Sequence, residues 1–204
     1  MAPAERPVRI GVRLDPEPDD LGNWLTDATA FEAAGADALF VDIAPGNALD
    51  PLVLTAALAA RTYRTMLVTA LRRDDVASPA AAQRLATLGR LGHGRIRLID
   101  DGGRPGPMAG DADLGPMDGA AALAVFRRVP GELGAFEYSP EPETRQRWVT
   151  VAAPDGRPAW AATLADVAER GLDGLVVPAG PRLLDLLRNP DEPDDRRDLQ
   201  IAQG

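Results

Sequence analysis

The 204-residue sequence contains no cysteine and no lysine, and it has one histidine and two serines. Without thiols the chain cannot form disulfide bonds, cysteine nucleophiles or thiolate metal sites. Neither Ser78 nor Ser139 lies in a nucleophile-elbow motif. His93 lies in a Gly-His-Gly turn between a predicted helix and a predicted strand, where we expect a structural role. Metal binding would depend on scattered carboxylates alone and is not expected.

The charge of the chain is strongly acidic, with a formal net charge of −9, and all 22 basic residues are arginines. Because there is no basic block, binding to nucleic acid or to an anionic membrane is not expected. The start of the sequence lacks an apolar signal core, and no run approaches membrane-spanning length. We therefore expect a soluble, cytoplasmic protein. The length predicts a single folded domain at 1–188, followed by a polar C-terminal tail at 189–204.

Apolar runs alternate with segments of helical periodicity along most of the chain. The helix at 51–62 has a clear start, because Asp50 can accept a hydrogen bond from an N–H group of the first turn and Pro51 needs no hydrogen-bond partner there. The alternation predicts a parallel sheet with crossover helices. Six strands are predicted: Val8–Leu14, Ala36–Ile43, Thr65–Leu71, Arg95–Ile99, Arg147–Ala153 and Gly174–Pro178. Five helices are predicted between and after them: Leu21–Ala34, 51–62, 79–91, Ala159–Arg170 and Pro181–Arg188.

The alternation is interrupted between the fourth and fifth predicted strands. Residues 102–119 are rich in Gly and Pro and predict a long loop, and Ala120–Arg128 predicts a short helix. Glu132–Arg145 is irregular, with Phe136 and Tyr138 in a brief strand. A complete eight-stranded α/β barrel usually needs about 250 residues. We therefore predict a shortened or incomplete TIM-like (β/α)8 barrel, trimmed or open in this region, with an open doubly wound sheet as the alternative.

The most informative stretch reads DPLVLTAALAARTYRTMLVTAL at 50–71 and SPAAAQRLATLGRLGHGRI at 78–96. It resembles the bacterial luciferase-like monooxygenase family of flavin- and deazaflavin-dependent oxidoreductases. The resemblance implies a (β/α)8 barrel that binds flavin mononucleotide (FMN) or the deazaflavin F420 at the C-terminal ends of its strands. It also implies a homodimer formed through helices 51–62 and 79–91, whose faces are rich in alanine.

In such a barrel the functional groups follow the strands. Arg13 lies on the face of the first strand opposite the apolar face, so it points into the barrel, where an arginine needs a carboxylate or a bound anion. Two interpretations stay open: an ion pair from Arg13 to Asp42 or Asp100, or an anion site. The candidate cofactor-binding residues are Arg13, Asp42, Thr69, Arg72, Arg73, Asp100, Gly102, Gly103 and Gly180.

Two acidic residues, Asp100 and Asp101, directly follow the fourth predicted strand. Carboxylates there repel a flavin phosphate unless arginines neutralise them, so weak or absent flavin binding is predicted. Two functions follow. The first is an oxidoreductase of the luciferase-like kind that uses FMN or F420 on an unidentified small-molecule substrate. The second is a cofactor-free, divergent barrel that acts as a binding or assembly protein. No catalytic residue is assigned.

Overall fold

A computed structural model describes residues 8–43, 49–70, 79–100, 125–141 and 143–190. Within these residues eight strands form a closed barrel in chain order, and the last strand pairs with the first. This confirms the predicted α/β barrel. The strands are β1 (Arg9–Arg13), β2 (Ala38–Val41), β3 (Met66–Ala70), β4 (Ile96–Asp100), β5 (Val125–Arg128), β6 (Ala135–Glu141), β7 (Thr144–Thr150) and β8 (Gly174–Pro178).

Five helices accompany the described strands, and capping residues, proline and glycine mark several of their ends. The Asp50 carboxylate accepts the Leu52 N–H at 2.8 Å, and Pro51 is the first helical residue, as predicted. Gly35 has a φ of 88°, which ends the first helix. No helix in the described ranges is long and apolar enough to cross a membrane. The helices are α1 (Leu21–Ala33), α2 (Pro51–Arg61), α3 (Pro79–Leu91), α4 (Arg157–Glu169) and α5 (Pro181–Arg188).

The barrel is closed by a hairpin rather than by a full set of strand–helix units. β6 runs antiparallel to both β5 and β7, whereas all other neighbouring strands are parallel. Of the alternatives predicted for this region, the trimmed barrel is confirmed, whereas the open barrel and the open doubly wound sheet are wrong. A hairpin needs only a few residues to return the chain, whereas a crossover needs a dozen or more. This economy lets a chain of this length close eight strands.

The predicted helix at Ala120–Arg128 is wrong from Val125 onward, where the chain forms β5. The irregular segment Glu132–Arg145 contains all of β6 and the start of β7. Residues 120–124, the predicted loop at 102–119 and all but the first two residues of the predicted tail at 189–204 lie outside the described residues.

Two apolar layers stabilise the fold. An outer layer lies between the strands and the helices and includes Val12, Leu39 and Leu58. The bore of the barrel is filled by five aromatic rings, Phe40, Phe126, Phe136, Tyr138 and Trp148, together with small and aliphatic residues. Phe126 and Tyr138 stack with ring centroids 4.4 Å apart. Because these rings occupy the bore, ligand-accessible space lies at its two ends.

Charged residues line one level of the outer barrel surface from β4 to β7. Asp100 is in register with Arg127, Arg127 with Glu137, and Glu137 with Arg147. These four residues are exposed and alternate in sign across four strands. We call this row the outer charge ladder. Opposite charges on neighbouring strands stabilise a sheet face that is in contact with water.

Candidate functional site

A cleft of about 330 Å³ lies at the mouth of the barrel, where the parallel strands have their C-terminal ends. Its floor is formed by Phe40, Phe136 and Val176, which also close the bore. Arg13 and Thr150 bring polar groups to its wall. An apolar floor with a few polar groups around it is typical of small-molecule sites, although the volume is near the low end of the usual range of roughly 300–1,000 Å³.

An ion pair between Asp42 and Arg128 crosses one side of the cleft, with 2.7 Å between Oδ2 and Nη2. The other oxygen of Asp42 accepts the Ile43 N–H at 2.8 Å. The Arg128 guanidinium also lies over the Phe136 ring, 5.1 Å from its centroid. The carboxylate of Asp42 is thus neutralised by Arg128, and the predicted ion pair between Arg13 and Asp42 is not formed.

Arg13 is the cation that remains available in the cleft. Its side chain is exposed and makes no hydrogen bond or ion pair with any described residue, so the predicted pair with Asp100 is also not formed. The two arginines and one aspartate that line the cleft leave a net formal charge of +1, in a chain whose total is −9. An exposed guanidinium in such surroundings attracts an oxyanion such as phosphate or carboxylate.

Thr69, predicted as a cofactor contact, points away from the cleft. It is fully buried, and its hydroxyl lies 3.4 Å from the carbonyl oxygen of Pro51 at the start of α2. The cause is the alternation of side chains along β3, where Val68 and Ala70 face the bore and Thr69 faces the helices.

Asp100 is also placed on the other face of the barrel. Ile99 faces the bore, so the carboxylate of Asp100 lies outside, opposite Arg127 in the outer charge ladder. The expectation that Asp100 repels an anion in the mouth is therefore wrong. Asp101, Arg72, Arg73, Gly102 and Gly103 lie outside the described residues.

Gly180 begins α5 at the same end of the barrel as Arg13. The N–H of the preceding residue, Ala179, donates to the Arg13 carbonyl at 2.8 Å, which ties this junction to β1. A Cβ built on Gly180 meets no atom within 4 Å, so the space beside it is open. Of the predicted residues that are described, Arg13 and Asp42 line the cleft, and Gly180 lies at the same end of the barrel.

Sequence reasoning missed the residues that the hairpin brings to the cleft: Arg128, Leu133, Gly134, Phe136 and Thr150. Gly134 has a φ of 75°, and a Cβ there would lie 2.9 Å from the Cβ of Thr150. Its carbonyl accepts the Thr150 N–H at 2.7 Å. A glycine at 134 thus permits the turn to approach β7 closely. The alternation of aromatic and charged residues in β5 and β6 was the available signal for these strands.

The titratable residues of the described ranges include no group of three His, Asp or Glu side chains that could hold a metal ion. The charged groups of the cleft are instead two guanidiniums and one paired carboxylate. This donor set suits an anion rather than a cation.

No family model matches the sequence, and no curated protein matches it. Among solved structures, a riboflavin lyase, RcaE, determined with modified FMN and riboflavin, is 24% identical over 45% of this chain and 29% of its own, with a TM-score of 0.37. EDTA monooxygenase EmoA from Chelativorans sp. BNC1 is 20% identical over 46% of this chain and 29% of its own, with a TM-score of 0.38. The aligned part is less than a third of either protein, so the fold assignment here depends on the strand pairing.

Proposed function

We propose that the mouth of the barrel binds a phosphorylated flavin-type cofactor, FMN or F420, and that the protein is an oxidoreductase of the luciferase-like kind. The observation that carries the proposal is the exposed guanidinium of Arg13, which forms no ion pair with any described residue and lies beside an aromatic floor. A flavin nucleotide has the matching pair of features, a flat apolar ring system and an anionic phosphate.

Different residues of the cleft are suited to contact different parts of such a cofactor. Arg13 is suited to hold the phosphate, because a guanidinium donates two parallel hydrogen bonds to it. Phe40 and Phe136 offer apolar ring surface for the flat part of the cofactor. Asp42 keeps Arg128 in place over Phe136, so Arg128 adds positive potential without moving into the cleft. The bound cofactor would supply the redox chemistry, hydride transfer or oxygen activation, and the protein would orient it.

The proposal is tested by calorimetric titration of the full chain with FMN, F420 and riboflavin. Riboflavin has the same ring system as FMN but no phosphate. We expect FMN to bind about tenfold or more tightly than riboflavin, the usual effect of a charge-assisted hydrogen bond. In Arg13→Gln this difference should disappear, whereas Arg170→Gln, which removes an exposed arginine directly after α4, should retain it. Equal affinities for FMN and riboflavin in the unmodified protein would overturn the assignment of Arg13 to the phosphate.

A second candidate function is a cofactor-free barrel that binds a smaller anionic molecule. It is favoured by the filled bore and by the cleft volume of about 330 Å³. In that case phenyl phosphate or benzoate, which carry one ring and one anionic group, should bind in an Arg13-dependent manner while FMN and F420 do not. Calorimetric titration with phenyl phosphate and benzoate, beside FMN and F420, therefore separates the two candidates.

We also propose a homodimer formed through α2 and α3, which pack against each other. Val53 is 61% exposed on α2, and Ala57 and Ala60 follow on the same side of that helix. The substitutions Ala57→Glu and Ala82→Glu should give a monomer by light scattering. Ala168→Glu, on the exposed side of α4, is the matched control and should leave the dimer intact. A protein that is already monomeric at high concentration would exclude this dimer.

A further inference from the structure

The opposite, N-terminal end of the bore contains a second pair of arginines that the proposed function does not use. Arg9 is the first residue of β1 and shares the bore-facing side of that strand with Gly11 and Arg13. Arg97 is the second residue of β4 and shares the bore-facing side with Ile99. Both side chains therefore lie at the end of the bore rather than on the outer surface.

Neutral groups hold both guanidiniums in place. Nη1 of Arg9 donates to Oε1 of Gln146 at 3.4 Å. Nε of Arg97 donates to the hydroxyl oxygen of Tyr138 at 2.6 Å, and its Nη1 donates to the carbonyl oxygens of Gly94 and Ile96 at 2.7 and 2.8 Å. In neither residue does Nη2 donate to a described group. Hydrogen bonds to neutral acceptors thus fix each guanidinium in position, and the Nη2 group of each has no acceptor among the described residues.

The acceptors that hold the two arginines are neighbours in the sheet. Gln146 and Tyr138 are directly opposite each other on β7 and β6, and both side chains are buried, at 8% and 2% exposure. Oppositely placed residues on antiparallel strands have Cβ atoms about 5 Å apart. Gln146 also accepts the Trp148 indole N–H at 3.3 Å, and the Arg97 guanidinium lies 5.7 Å from the Tyr138 ring centroid. The side chains of Gln146, Tyr138 and Trp148, which support the two arginines, are therefore well packed.

The described carboxylates near this end of the bore do not pair with the two arginines. Asp37 accepts the Ile10 N–H at 2.8 Å, and Asp173 accepts the Arg147 N–H at 2.7 Å. Glu141 and Glu143 belong to the end of β6 and the turn that follows it. None of the four forms an ion pair with either guanidinium in the described part of the chain. Among the described residues, the two positive charges at this end of the bore therefore have no counter-ion.

We propose that Arg9 and Arg97 form a second anion-binding site, at the N-terminal end of the barrel, for a small oxyanion of the phosphate class. Guanidiniums with unused donors and neutral supporting acceptors form charge-assisted, bidentate hydrogen bonds to phosphate oxygens. The site is separated from the cleft at the mouth by the aromatic residues that fill the bore. It does not depend on the proposed flavin function.

The test is a titration of the full-length, isotope-labelled protein with inorganic phosphate and with phenyl phosphate, followed by nuclear magnetic resonance. We expect saturable shifts of the Arg9 and Arg97 side-chain N–H signals and of the Gln146 amide. Arg9→Gln should weaken phosphate binding at this site about tenfold or more. Arg145→Gln is the matched control: it removes the same charge at the same end of the barrel, but its side chain is on the outer face of β7, so affinity should stay within about twofold.

The titrations either support or overturn the proposed site at Arg9 and Arg97. Tighter binding of phenyl phosphate than of inorganic phosphate supports the site and indicates that its natural anion belongs to a larger molecule. Shifts that do not saturate, or equal weakening by Arg9→Gln and Arg145→Gln, would overturn it. In Arg13→Gln the shifts at Arg9 and Arg97 should be unchanged, which distinguishes this site from the cleft at the mouth even if the flavin proposal fails.

Discussion

Asp42 and Arg128 are 86 positions apart in the chain, and their side chains meet at 2.7 Å across the mouth of the barrel. Asp42 directly follows β2 and Arg128 is the last residue of β5, two strands that are not neighbours in the sheet. The pair therefore spans part of the opening and holds Arg128 against Phe136. Because Asp42 is paired with Arg128, Arg13 is the cation among the described residues of the cleft that can receive an anionic ligand.

This arrangement predicts opposite effects for the two members of the pair. Asp42→Asn raises the formal charge of the cleft lining, so an anion held by Arg13 should bind several-fold more tightly, while the unfolding free energy should fall by about 1 kcal/mol. Arg128→Gln lowers the charge and should weaken anion binding several-fold. Calorimetry with the tightest-binding anion, together with urea denaturation, measures both quantities. Changes of the same sign in the two variants would contradict this account of the cleft.

Most of the barrel could be predicted from the sequence, because β1–β4, β7 and β8 each coincide with an apolar or alternating run. The strands β5 and β6 could not be bounded in the same way. β5 has only four residues, and the alanine-rich sequence before it favours a helix by intrinsic propensity. Pairing with β4 and β6 overrides that propensity, and long-range pairing is not visible in local sequence.

The candidate site was predictable only in part, for a related reason. The alternation in β1 correctly placed Arg13 on the bore side. The same rule applied to β3 and β4 separates Thr69 from Val68 and Asp100 from Ile99, so treating every residue at a strand end as part of one site was the error. The partner of Asp42 could not be deduced, since it depends on a hairpin register set far along the chain.

The outer charge ladder predicts a sign-dependent change in stability. Arg127→Glu places like charges opposite Asp100 and Glu137 and should lower the unfolding free energy by about 0.5–1 kcal/mol. The double variant Arg127→Glu, Glu137→Arg restores opposite charges between β5 and β6 and should recover part of the loss. Urea denaturation at low salt measures both. The single variant Glu137→Arg completes the comparison. If the double variant loses more unfolding free energy than the two single variants lose together, a favourable interaction across these strands is contradicted.

Close packing at the N-terminal end of the bore predicts that Gly174 cannot be replaced without cost. A Cβ at this position would lie 2.5 Å from the Trp148 ring, which is 1% exposed and cannot move freely. We expect Gly174→Ala to lower the unfolding free energy by about 1–3 kcal/mol. Gly180→Ala is the matched control, because a Cβ there meets nothing within 4 Å and its φ of 176° suits any residue. Equal stabilities of the two variants would show that the bore can repack.

Glu32, near the end of α1, joins that helix to the segment that leads into β3. Its carboxylate accepts the N–H groups of Tyr63, Arg64 and Thr65 at 2.7–2.9 Å, and the Thr65 hydroxyl at 3.1 Å. Burial alone raises the pKa of Glu32, but the hydrogen bonds from Thr65, Arg64 and Tyr63 outweigh it, so the pKa lies below its ordinary value of 4.5. The charged form is therefore stabilised in the folded protein.

This shift predicts a stability contribution that depends on pH. A folded-state pKa below the unfolded value stabilises the protein above the unfolded value of about 4.5, and the stabilisation is lost as the pH falls through the folded pKa. At neutral pH, Glu32→Gln should lower the unfolding free energy by about 1–3 kcal/mol, since the amide replaces one acceptor by a donor. The difference from the unmodified protein should be constant at neutral pH and should shrink as the pH falls below the ordinary value of 4.5 and through the lowered folded pKa. Glu169→Gln, at the exposed end of α4, should show neither effect in the same urea titrations, and a pH-independent loss in Glu32→Gln would contradict the role of the charge.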